Sequence, residues 1–163
     1  MADLLSHLLG AYALLTVASW RIDWLTRKWI VVGTGGAAIP DLVKIDILLD
    51  ADAVEATLGV PFSYGPLSSL GGVLIVAGLI TLAFDRSEWR RAYPLVGCGG
   101  LSSLLGDGLR AYADGHTSAY LYPFTNWRPP TPSLYVSSDP RVLVVAIVVA
   151  VAVFALDRRV VDA

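Results

Sequence analysis

The sequence predicts an all-α integral membrane bundle of about five transmembrane helices, forming a single membrane-embedded domain over residues 1–163. Composition is the first reason: 55% of residues are hydrophobic and only 16% charged, and the mean hydropathy is +0.62. Those values lie far from the usage of soluble domains of this size, so the expected solvent is lipid. Apolar runs are the second reason, at 4–20, 29–49, 67–84, 92–112 and 142–156. Each is near the roughly 17 to 25 residues that cross a bilayer, and the last needs its flanks. Their continuous apolarity fits helices, because barrel strands alternate lipid-facing and lumen-facing residues.

Charge placement is the third reason and supplies an orientation. Arg21, Arg27 and Lys28 follow the first run, Arg86, Arg90 and Arg91 the third, and Arg158 and Arg159 the fifth. The positive-inside rule makes those ends cytoplasmic, with the amino terminus outside and the carboxyl terminus cytoplasmic. The expected location is therefore the inner or plasma membrane, crossed several times. The start, Met1-Ala2-Asp3, lacks the basic region of a secretory signal, and 4–18 is read as a retained first helix. A net charge of -2 gives no basic face for nucleic acid, so that partner is excluded. Cys98 is the sole cysteine, which rules out an intramolecular disulfide and a cysteine-based zinc cluster.

The elements follow in order. His7 lies in the first run, near its outer end. In the second run Gly33-Thr34-Gly35-Gly36 lacks the Gly-Lys-Ser/Thr ending of a phosphate loop, and reads as flexibility or close packing. Pro40 and Asp41 follow it. Residues 50–61 predict a short surface helix stopped by Gly59 and Pro61. The third and fourth runs carry Ser68, Gly72, Gly99 and Ser103, small residues spaced for close helix packing. Through such faces a protein partner or a second copy would dock, beside the membrane lipid itself. Residues 113–140 combine Tyr120, Tyr122, Phe124, Trp127 and Tyr135 with five prolines. This aromatic and proline-rich loop cannot be a helix; it reads as an interfacial belt or as a lid. His116 in that loop reads as part of a solvated turn. The valines of the fifth run would suggest a strand in water, but an isolated strand cannot satisfy its backbone in lipid.

The ionisable groups at membrane depth are the functional signal. A carboxylate at the bilayer centre costs a few kcal/mol, so it requires a partner, water or a metal. Ser103 and Asp107 are four residues apart and share a helix face. The topology brings His7, Asp41, Asp46 and Asp107 to one depth. Imidazole nitrogen with carboxylate oxygen suits a divalent ion such as zinc or manganese. Asp107 also has a simpler reading, paired with Arg110 in interfacial water, and Pro40-Asp41 has one as a turn and cap.

The order of these motifs resembles a known family. His7 in the first span, Pro40-Asp41 ending the second, Gly65-Pro66-Leu67-Ser68-Ser69-Leu70-Gly71-Gly72 opening the third, Leu101-Ser102-Ser103-Leu104-Leu105-Gly106-Asp107 in the fourth and the late Tyr122-Pro123-Phe124 are similar to the YdjM-like, LexA-binding inner-membrane hydrolases, which are metal-dependent. The resemblance implies a metal-activated water attacking an ester or phosphoester. It implies His7, Asp41 and Asp107 as metal ligands, with Asp46 as a supporting group or catalytic base. The family carries His where this chain has Ser68 or Ser69, and again at Ser103. A hydroxyl is a poor substitute for imidazole as ligand or base, so the remaining set is carboxylate-rich and favours manganese, magnesium or calcium over zinc. The alternative implied is a non-catalytic membrane subunit or scaffold of the same fold without its metal.

Overall fold

The fold was obtained as a computed structural model that describes residues 2–137 and 139–161. Among them the regular structure is entirely helical: α1 (Ala2–Ser19), α2 (Arg27–Gly36), α3 (Ala51–Leu58), α4 (Leu70–Thr81), α5 (Trp89–Gly108) and α6 (Pro140–Val161). Two 3-10 segments, Pro40–Ile47 and Gly65–Ser68, precede α3 and α4. α1 packs on α6 and α2, and α5 packs on α2, α4 and α1.

One helix among the described residues, Pro140–Arg159, is long and apolar enough to cross a bilayer, and Leu4–Ser19 and Leu70–Thr81 are shorter apolar helices. The expected continuous second span is broken. α2 ends at Gly36, the backbone tightens through i→i+3 bonds from Ala38 N to Gly35 O and from Ile39 N to Gly36 O, and Pro40 opens a 3-10 segment. Each glycine weakens a helix by up to about 1 kcal/mol, and Pro40 has no N–H to donate to the preceding turn. The short helix expected over 50–61 is present as α3. The Asp50 side chain accepts from Asp52 N at its start, and Gly59 adopts a left-handed conformation at its end, φ 69°.

The core lies where α2 crosses α5. A Cβ on Gly36 would sit 2.1 Å from Val96 O, and one on Gly99 would sit 1.9 Å from Gly33 O. Only glycine permits this backbone contact, so the Gly-Thr-Gly-Gly stretch serves close packing. Val73, Ala77 and Val96 are buried beside it.

The two ends of the bundle differ in chemistry. At one end Trp20 Nε1 donates to Asp157 Oδ1 (3.1 Å), Lys28 pairs with Glu88, and the Arg91 guanidinium lies over the Trp24 ring. At the other end residues 109–137 fold back over α4 and α5. Tyr120 O and Tyr122 O accept from Leu70 N (2.7 Å) and Gly71 N (2.9 Å), satisfying amides that α4 leaves open at its start. Tyr135 Oη donates to Gly106 O (2.9 Å) and ties the loop to the end of α5.

Candidate functional site

α5 sets the site. Its buried face carries Gly99, Ser103 and Asp107 in successive turns, as the four-residue spacing predicts. Ser103 is almost fully buried, and its hydroxyl has no hydrogen-bond partner. Asp107 is buried at the end of the helix. Its Oδ1 lies 3.3 Å from His7 Nε2, on α1, and 3.5 Å from Arg110 Nη1. His7 can approach because Gly106 has no side chain; a Cβ there would meet the imidazole Cε1 at 2.9 Å.

The 3-10 segment after α2 brings in the second acid. Asp41 Oδ1 is 2.5 Å from Lys44 Nζ, three residues on. The other oxygen, Oδ2, is buried without a hydrogen-bond partner. Asp41, Lys44, Asp107 and Arg110 line one cavity of about 150 Å³, together with Ser68, Tyr112 and Ser118. Two acids far apart in sequence thus reach one small polar space, with two cations beside them. His7 stands behind Asp107 and lines a separate cavity of about 310 Å³, which Ser6, Ser102 and Tyr135 also border.

Asp46 is placed elsewhere. It is exposed, and its Oδ1 accepts from Ala51 N (2.9 Å), so it holds the start of α3 instead of lining the cavity. His116 is exposed in a turn at Gly115 (φ 70°), with Nδ1 2.8 Å from Asp114 O. Of the four sequence candidates, the structure therefore joins His7 to Asp107 and sets Asp41 across a shared cavity.

Spacing in the sequence could have found Lys44, which lies one 3-10 turn after Asp41. Nothing in it marks Tyr112, Ser118 or Tyr120, which the loop delivers. The Tyr112 and Tyr120 hydroxyls are 3.2 Å apart. Burial, and then the hydrogen bond to Tyr112, pushes the Tyr120 phenol above its usual 10.0, so Tyr120 keeps its proton near neutral pH.

The donor set decides whether a divalent ion fits. Both acids already hold cations, Lys44 on Asp41 and Arg110 on Asp107. Among the described residues no three histidine, cysteine or acidic side chains come close enough to share one ion. As arranged, His7, Asp41 and Asp107 do not fit a metal centre, because a dication would have to displace both cations. What the arrangement does offer is two carboxylates for proton transfer and two cations for an anionic group.

Comparison of the chain with protein-family profiles, with curated proteins and with solved structures finds no match.

Proposed function

We propose that this chain is a multi-pass inner-membrane protein of the YdjM-like hydrolase type, which binds and cleaves an ester or phosphoester in the cavity between Asp41 and Asp107. One observation carries this reading: acids from two separate segments line one small polar cavity, and His7 touches one of them. About five spans, with the carboxyl terminus cytoplasmic, are part of the proposal. They are supported by the apolar exposed faces of α1, α4, α5 and α6, including Leu14, Ile75, Leu105 and Val148, which lipid would cover. The basic and aromatic end around Trp20, Trp24, Lys28 and Arg91 supports the orientation.

The chemistry falls to the chain's own side chains. Water attacks the acyl carbon or the phosphorus, and Asp107, fixed by His7 and Arg110, accepts its proton. That proton then passes to the departing alkoxide oxygen as the ester bond breaks. Lys44 and Arg110 stabilise the negative charge on the oxygens of the reacting centre. Proton transfer of this kind contributes about 10²- to 10⁴-fold. No step uses a metal, since the residues do not fit one.

A second reading, a non-catalytic membrane subunit or scaffold, is favoured by a different observation: each acid is neutralised by its own cation, and serines stand at the two positions where the family has His. Turnover of nitrophenyl esters and nitrophenyl phosphates by detergent-purified protein separates the two. Asp107→Asn is expected to lower turnover by about 10²-fold or more, and chelators to change nothing. Wild type no faster than Asp107→Asn, with a partner co-purifying in fixed ratio, would establish the scaffold instead. Turnover lost to a chelator and restored by zinc, manganese or magnesium would return a metal to the site.

A further inference from the structure

α5 ends without the usual stop. Leu109, which closes it, keeps a right-handed backbone, and Arg110 follows instead of a left-handed glycine. The last carbonyls of a helix have no partner inside it, and here residues 131–135 supply partners from outside. Tyr135 Oη donates to Gly106 O (2.9 Å), and Leu134 N donates to Leu109 O (2.9 Å). The Thr131 hydroxyl donates to Arg110 O and lies 3.3 Å from Gly108 O, while Ala111 N donates back to Tyr135 O (2.7 Å). Thr131, Leu134 and Tyr135 thus hold the main chain on both sides of Asp107.

The turn that delivers them is strained. Ser133 has φ 52°, the one residue other than glycine in the left-handed region among those described. It is exposed, and its amide donates to Thr131 Oγ1 (3.2 Å). Such a conformation persists only where the surroundings impose it. Here it lets Thr131, before the bend, and Tyr135, after it, reach the same helix end.

We propose that residues 131–135 form a strap that positions Asp107 and Arg110, with Thr131 and Tyr135 as positioning residues. Neither lines the cavity between Asp41 and Asp107, so both act through the backbone that carries the two charged groups. The inference rests on reading Asp107 as the base and Arg110 as the charge that meets the substrate. A phosphoester arrives as an anion and needs the guanidinium in place from the start, whereas a carboxylic ester develops charge only as it reacts. The strap therefore sets the preference for phosphoesters over carboxylic esters.

Two measurements on the full-length protein in detergent test it. The first is the rate of phenylglyoxal modification at Arg110, located by peptide mass spectrometry and compared with Arg128, which lies in the same loop but is held by Asp114. Thr131→Val, Tyr135→Phe and Ser133→Val are expected to speed modification at Arg110 by about three- to tenfold, the worth of one hydrogen bond, with Arg128 unchanged. Thr131→Ser keeps the hydroxyl and Ser133→Gly accepts the turn, so both are expected to behave as wild type. The second is the ratio of nitrophenyl phosphate to nitrophenyl ester turnover, expected to fall in the first three variants and not in the last two. No change at Arg110 in either valine variant, Arg110 and Arg128 rising together, or a faster Arg110 with an unchanged ratio would overturn the proposal. An inert wild type in which the valine variants still unmask Arg110 alone would end the hydrolase reading and leave the strap. Turnover whose ratio ignores all five substitutions would end this inference alone.

Discussion

Gly36 and Gly99 carry the packing at the scale of single residues, because each lies where an added methyl would strike a carbonyl on the facing helix. Backbone cannot yield as a flexible side chain can, so Gly36→Ala and Gly99→Ala are expected to destabilise the fold by at least about 1–3 kcal/mol. Gly35→Ala meets nothing within 4 Å and is expected to be neutral or stabilising, by up to about 1 kcal/mol. Thermal unfolding in detergent compares the three. Equal effects would mean that the seam between α2 and α5 is looser than described. Asp107 belongs to the same scale. Its four-residue spacing from Ser103 placed it correctly on a buried face, and Arg110, three residues on, was visible as a partner. Asp46 was not legible in the same way: a carboxylate near the end of an apolar run looks alike whether it enters a cavity or holds the next helix, and only the path of the chain decides.

The proline-rich connection is the element on which the site depends, since it supplies Tyr112, Ser118 and Tyr120. Its own order rests partly on Asp114, which accepts from His116 N (3.2 Å) and pairs with Arg128 Nη2 (2.7 Å). The His116 amide, and then Arg128, hold the Asp114 carboxyl below its usual 3.8. The folded value lies below the unfolded one, so this contribution is complete above pH 3.8 and disappears as the pH falls through the folded value. Acid titration followed by Trp127 emission is expected to show a step below pH 3.8 in wild type and none in Asp114→Asn. A step of the same size in both would assign the loosening to another group. Composition revealed that this segment is not helical, but which aromatics face inward follows from carbonyls that bond to α4, a tertiary fact. The broken second run has a similar origin. Its length and apolarity resemble one span, whereas its glycines and Pro40 favour two short pieces.

For the molecule as a whole, the proposed topology puts the loop and the basic end on opposite sides of the membrane. In a Cys98→Ser background, Thr125→Cys is expected to react with a membrane-impermeant maleimide added outside intact cells. Ser87→Cys is expected to react only after permeabilisation. The reverse pattern would invert the orientation, and labelling of both from outside would deny that α4 and α5 cross together. Helix class and the difference in polarity between the two ends were readable from hydropathy and charge. The separation of His7 from Asp41 by the Asp107 side chain was not, because it depends on how α2 meets α5. That meeting is made of main chain, so no rotamer can adjust it. The gap between the two acids is consequently a fixed gauge: one methyl added at the seam would act like a shim under a hinge, resetting the width of the mouth several residues away and changing which molecules enter without touching any group that contacts them.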